Sequence, residues 1–274
     1  MNWKIEQITA IPSVHNGRFD LHPQHGLACL VNGVKTQALY LNGHPCRTWS
    51  TEEFPDVWGV RWFSQAQVCL WLVNRNAVLA SGTTWTPFSA GRLWDILCAN
   101  DYIFVTYDDE SVTRARPGEI EHNVLAVFSG DRIFRVGLVD LLLANRDNSS
   151  PIEINAAYTF NNTIMFVPYP GESVYILDAD KKSLTKRDVS FNTVNTVAFS
   201  GNDKQAFAIV EYAEQFELVH VDLASGQSQK GDFRALAKEL DEAGFKSGAW
   251  HFRSSLGGRM IVSDDRQAAF IELF

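Results

Sequence analysis

Residues 153–189, EINAAYTFNNTIMFVPYPGESVYILDADKKSLTKRDV, and residues 194–233, VNTVAFSGNDKQAFAIVEYAEQFELVHVDLASGQSQKGDF, are two versions of one unit. Each holds an apolar strand ending in an aromatic residue, Phe160 or Phe199, then a polar turn and a second apolar strand. After another break comes a third strand ending in Asp178 or Asp222, a short turn and a polar fourth strand. The two phenylalanines stand 39 residues apart and the two aspartates 44 apart. A four-stranded unit recurring at that interval buries its apolar faces by stacking on further copies of itself.

Laid along the rest of the chain, the unit recurs. Residues 11–50 hold the apolar runs GLACLVN (26–32) and TQALYLN (36–42), then CRTWS, after a weaker strand near Arg18–Leu21. Between the two runs lies NGVK, whose Asn-Gly order suits a type I′ hairpin. A second unit runs VWGVRWF (57–63), QVCLWLVN (67–74), NAVLAS (76–81) and TWTPF (84–88). The third is LWDILCA (93–99), YIFVTY (102–107), NVLAVF (123–128) and RIFRVG (132–137), with a polar insertion from Asp108 to His122 between its second and third strands. The last unit, SGAWHFRSS (247–255), RMIVSD (259–264) and AAFIELF (268–274), has only three strands. Residues 3–9 alternate as a strand and have no unit of their own, so they are expected to close the last one, burying Trp3, Ile5 and Ile8.

These counts predict an all-β fold: a six-bladed β-propeller in one domain spanning 1–274, with four antiparallel strands per blade. Five or seven blades are the alternatives. The second strands CLWLV, YIFV, TIMFV and AFAIV are nearly continuous apolar runs, as blades buried on both faces require. One helix is expected near 232–245, where Asp232 can cap, Phe233, Leu236, Leu240 and Ala243 recur at helical spacing, and Gly244 stops the run. The segments VHVDLASGQSQK and YILDADKKSLTK resemble the third-strand, turn, fourth-strand signature of degenerate bacterial-type β-propeller repeats. The resemblance covers the whole chain at the level of fold, and it transfers no functional residue. The Gly-His and Trp-Asp marks of WD repeats do not occupy these positions, since Trp94-Asp95 starts a unit instead of ending a strand.

Composition narrows the function. The chain has 274 residues, 46% of them apolar, and a net charge of −8. That balance argues against nucleic acid or an anionic membrane as partner. No apolar run has the length of a signal sequence or membrane span, so the cytoplasm is the expected location. Cys29, Cys46, Cys69 and Cys98 lie on or beside apolar strands without paired spacing and are expected as buried free thiols.

In a propeller, loops joining strands two and three share one face with the blade-to-blade connections. That face holds residues 51–56, 108–122, 138–151 and 232–245, nearly all the extra length. These stretches contain 14 acidic and 5 basic residues, an excess of 9 against 8 for the whole chain. Glu52, Glu53, Asp56, Asp108, Asp109, Glu110, Glu119, Glu121, Glu239 and Glu242 are thereby the candidate docking residues for a basic protein or peptide, with an inhibitor or immunity-type role as the narrower form. A surface tuned for solubility is the plain alternative.

Asp20 or His22, Arg61, Asp95, Asn155, Asn195 and His251 fall on first strands and could line a channel. A hydrolase or lyase working there is the second reading. A carbohydrate- or small-ligand-binding propeller using Trp58 and Trp85 is the third. His22 and His25 make a weak metal pair because Pro23 opposes a helix, and Asp178 and Asp180 read as turn formers. No G-x-S-x-G, P-loop, Rossmann or H-E-x-x-H pattern occurs. No catalytic residue, metal or cofactor is therefore expected.

Overall fold

Alternating apolar and polar residues in short runs, separated by turn formers, build the computed structural model, with twenty-four strands and one helix among the described residues. It describes residues 2–11, 18–52, 57–63, 67–72, 77–80, 85–87, 93–99, 102–113, 120–129, 132–136, 153–169, 173–181, 183–191, 195–212, 215–255 and 259–274; side chains are described for 2–11, 18–52, 57, 59–62, 68, 156–167 and, within these spans, from 173 onward. The chain divides into two compact units, residues 17–153 and residues 1–16 with 154–274.

The first of these units contains three antiparallel four-stranded sheets. One joins β2 (Phe19–His22), β3 (Gly26–Asn32), β4 (Thr36–Leu41) and β5 (His44–Ser50) in chain order. The next joins β6 (Val57–Phe63), β7 (Gln67–Leu72), β8 (Ala77–Ala80) and β9 (Trp85–Pro87), and the third β10 (Leu93–Ala99), β11 (Tyr102–Thr113), β12 (Ile120–Ser129) and β13 (Arg132–Val136). Ala28, Leu30, Leu39, Trp49, Val57, Val60 and Trp62 form its described core.

Two sequence expectations change here. The type I′ turn is not at NGVK, where Gly33 has no positive φ, but at Asn42-Gly43, with φ of 51° and 80°. Both central residues of that turn type need positive φ, and the two-residue gap between β4 and β5 imposes it. The stretch 108–122 is also not wholly a loop. β11 and β12 run on through much of it as a hairpin, pairing Asp108 with His122 and Thr113 with Ile120 across register shifts. Extended pairing satisfies backbone groups that a loop would leave to solvent.

The other unit also contains three sheets. One is β14 (Glu153–Phe160), β15 (Thr163–Tyr169), β16 (Ser173–Asp178) and β17 (Ser183–Asp188); the next is β18 (Thr196–Gly201), β19 (Gln205–Tyr212), β20 (Gln215–Asp222) and β21 (Ser228–Gly231). The last has the order β1-β24-β23-β22, with β22 (His251–Ser254), β23 (Met260–Ser263), β24 (Gln267–Leu273) and the N-terminal β1 (Trp3–Ala10) outermost. Helix α1 (Phe233–Glu242) links β21 to β22. The apolar run of β19 is explained by two cores. Ala206, Ala208 and Val210 pack with Tyr158, Phe199 and Val219, whereas Phe207 and Ile209 pack with Leu218, Leu236, Leu240 and Ile271.

Asp178 and Asp222 act as turn formers. Asp178 Oδ1 accepts from Lys181 N at 3.0 Å, and Asp222 Oδ1 from Ala224 N and Ser225 N at 3.0 and 2.8 Å. The turn after Asp222 rests on the end of β17, where a Cβ added to Gly226 (φ +73°) would lie 2.2 Å from the Asp188 carbonyl oxygen. Only glycine fits this approach.

β1 pairs with β24 from Trp3↔Leu273 to Ala10↔Gln267, but the register shifts between Glu6 and Thr9, where Gln7 has φ 54°. Gln7 and Ile8 lie within this shift, where a bulge interrupts the ladder. Trp3 and Ile5 pack on the core, while Ile8 is 48% exposed, against the expectation that all three are buried. Removing residues 1–9 should cost roughly 3–5 kcal/mol in lost burial and pairing, a melting temperature lower by about 10 °C or an insoluble chain. Ile8→Ser should stay within about 0.5 kcal/mol of the parent. Thermal unfolding of the two variants checks both; equal melting temperatures for the truncated and parent chains would refute the role of β1.

Candidate functional site

Helix α1 is built by local rules. Asp232 caps its start, its Oδ1 accepting from Arg234 N at 3.0 Å and Ala235 N at 3.2 Å. Its end is a Schellman turn: Gly244 N donates to Asp241 O and Phe245 N to Leu240 O, with Gly244 at φ +88°. Leu236, Leu240 and Phe245 are buried; Lys238, Glu239, Asp241 and Glu242 are exposed.

The exit from the helix is held by a buried carboxylate. Asp264 Oδ2 accepts from Lys246 N at 2.8 Å, and its Oδ1 accepts from Arg266 N and Gln267 N, each at 2.8 Å. Burial pushes this carboxyl up, but the three backbone donors and the Arg266 guanidinium outweigh it and hold it below its ordinary value. A depressed folded pKa gives stability that is complete above the unfolded value of about 3.9 and is lost as pH falls through the folded one. Asp264→Ala should lower the unfolding free energy at neutral pH by about 2–4 kcal/mol. The gap to the parent should narrow as pH drops below about 4, a pattern that denaturant titrations at several pH values will show or exclude.

At the N-terminal end of α1 lies an aromatic cluster. Phe233 stands 5.3 Å from Phe216, 5.9 Å from Phe252 and 6.2 Å from Trp250, centroid to centroid. Phe216 and Phe252 are 5.3 Å apart, edge to face. Phe252 is buried, while Phe216, Phe233 and Trp250 are half-buried. Glu211 pairs across the β19–β20 hairpin with Phe216, so its exposed carboxylate shares a face with that ring.

Two of the acidic docking candidates are already engaged. Glu239 Oε2 accepts from Trp3 Nε1 at 2.9 Å, and Glu242 pairs with Lys238 at 3.5 Å, so both carboxylates have partners within the chain. Glu52 is exposed. Asp108, Asp109, Glu110 and Glu121 lie in strands whose side chains are outside the described residues, as are Glu53, Asp56 and Glu119 altogether. The stretch 138–151 and the side chains of Trp58 and Trp85 are also outside them.

Of the channel candidates, His22, Arg61 and Asp95 belong to one unit and Asn155, Asn195 and His251 to the other. His22 Nδ1 accepts from Gln24 N and His25 N, each at 3.1 Å, and its ring stacks on His25 at 4.3 Å. That nitrogen closes a turn and is committed to backbone donors. Asp20 is buried, its Oδ2 accepting from Trp62 N at 2.8 Å. Arg61 is half-buried and donates to Val60 O, Asn195 and His251 are exposed, and the side chains of Asp95 and Asn155 are outside the described residues. No group of three or more His, Cys, Asp or Glu suited to a metal occurs among the described residues. Cys29 is buried and its thiol is pushed up by burial, but Cys46 is exposed, contrary to expectation, in the exposed first half of the terminal strand β5. Among the described residues, no helix is long and apolar enough to cross a membrane.

No family model matches the chain and no curated protein matches it. Solved structures do. A protein from Bacteroides fragilis superposes over 100% of this chain and 95% of its own with a TM-score of 0.57 at 8% identity. The WD40 repeats of RRP9 give 0.52 at 8% identity over 97% of this chain and 84% of theirs. The WD40 β-propeller domain of Doa1 gives 0.50 at 8% identity over 90% and 75%. Likeness at such identity establishes the fold alone: all-β, four-stranded antiparallel sheets of the β-propeller kind, with one helix among the described residues.

Proposed function

We propose that the chain is a single six-bladed β-propeller that binds a basic protein or peptide, without catalysis, through the edge bearing its blade-to-blade connections. The observation that carries the binding reading is α1. A connection between adjacent sheets needs only a few residues, yet here it is a capped helix with a buried inner face and an exposed charged outer face. Rigidly mounted connections are where scaffolds place recognition. The excess of 9 acids over bases in the elaborated segments supports a basic partner. Propeller folds in the similar solved structures fit such a module. An inhibitor or immunity-type role is the narrower form of the proposal.

Charge reversal tests the reading. Asp108→Lys/Asp109→Lys/Glu110→Lys and, separately, Asp241→Lys/Glu242→Lys should slow association with a hexa-arginine probe by about tenfold at low salt, less at high salt. An unchanged association rate in both variants overturns the acidic docking reading. Ring closure is tested by small-angle scattering: one compact ring of this length has a radius of gyration near 19 Å, whereas a value above about 23 Å would separate the two units.

A further inference from the structure

Three described hairpin turns are closed by the same device. Asn202 Oδ1 accepts from Lys204 N and Gln205 N at 2.9 and 3.0 Å. Asp222 Oδ1 accepts from Ala224 N and Ser225 N, and Asp264 Oδ1 from Arg266 N and Gln267 N. Each side chain takes the amides two and three residues ahead of it. The β2–β3 turn closes in the same pattern, but its acceptor is an imidazole nitrogen. His22 Nδ1 takes Gln24 N and His25 N, each at 3.1 Å. The asparagine amide oxygen accepts at any pH. The Asp222 carboxyl is held below its ordinary value, by the Ser225 amide and hydroxyl ahead of the Ala224 amide, so it still accepts in mild acid. His22 Nδ1 accepts only while the ring is neutral and its proton sits on Nε2. A protonated ring would point an N–H at two other N–H groups.

This turn is also a joint. Asn42 Nδ2 donates to His25 O at 2.8 Å, and Asn42 Oδ1 accepts from Leu27 N at 2.8 Å. Trp62 Nε1, on β6 of the next sheet, donates to Gly26 O at 2.9 Å. The His22 ring stacks on His25 at 4.3 Å, and Trp62 meets the two rings at 5.8 and 5.6 Å. A charge on His25 opposes a charge on His22 at that separation, but a proton on His25 leaves the turn bonds intact. The side chain that β6 sets against both rings, Trp62, is uncharged. The other titratable or charged groups close by are Asp20 of β2, Arg61 of β6 and the exposed His44 of β5. Asp20 accepts from Leu21 N and Trp62 N, and Arg61 donates to Val60 O. We propose that protonation of His22 opens the β2–β3 turn in mild acid and loosens the joint between its sheet and that of β6–β9. The bonded form belongs to the neutral ring. It is complete well above the ordinary histidine value of about 6.5 and is lost as pH falls through the His22 titration.

The test follows the full chain, nitrogen-15 labelled, by NMR from about pH 7.5 to about pH 5. The Gln24 and His25 amides and the Trp62 indole N–H should move together, in step with the His22 ring nitrogens. Their protection from exchange should fall about tenfold beyond the intrinsic effect of pH. His22→Asn keeps an acceptor of the Asn202 kind and should hold all three resonances fixed over the same range. His25→Gln should still respond as the parent does. A response that persists in His22→Asn overturns the proposal. The ring nitrogens of the parent decide independently of any variant: a His22 Nδ1 that remains an acceptor at about pH 5 also overturns it.

Discussion

An exposed strand edge becomes a problem once sheets pack side by side, because its outward N–H groups are then buried without a ladder partner. The molecule answers with side-chain acceptors sent from one first strand to the next. In one unit, Asp20 on β2 takes the amide of Trp62 on β6 at 2.8 Å. In the other, Ser254 on β22 takes the amide of Phe199 on β18 at 3.0 Å. Adjacent sheets are thereby fixed in height against each other as well as pressed together by apolar contact. Aromatic contacts also join neighbouring sheets, as where Tyr158 meets Phe199 edge to face at 4.9 Å.

The same economy of polar atoms recurs at the turns. Asp178, Asn202, Asp222 and Asp264 each accept from backbone amides a few residues ahead. Asp264 goes further and reaches back to Lys246, so one carboxylate sets both the final hairpin and the path out of α1. The helix is therefore positioned by its cap, by its buried leucines and by a group outside it. A recognition element mounted in this way can present charge with little freedom to reorient.

Much of this was legible in the sequence because it is local or periodic. The units at 153–189 and 194–233 announce themselves through matched aromatic and aspartate positions, and Asp232, Gly244 and the leucine spacing mark out α1. The departures all involve register or a distant partner. Two Asn-Gly pairs compete for the type I′ turn, and only the gap between paired strands selects Asn42-Gly43. Ile8 is out of step with Trp3 and Ile5 in strand alternation, and it falls in the register shift between Glu6 and Thr9, where it is exposed. Glu239 looks like a free helix carboxylate, but its partner Trp3 lies 236 residues away. Glu211 becomes a neighbour of Phe216 only through the hairpin pairing, a signal that composition does not carry.

The union of β1 with β24 also sets an order of events during synthesis. Ala10 ends β1 and Gln267 begins its partner, so most of the chain is translated between them. At roughly 5–20 residues per second, β1 waits on the order of ten seconds to a minute for its mate. Over that interval its amides can pair wrongly with any passing edge. Lys4, Glu6 and the bulge at Gln7 are features that discourage such pairing. The pairing of β1 with β24 thus forms only after the intervening strands have been made.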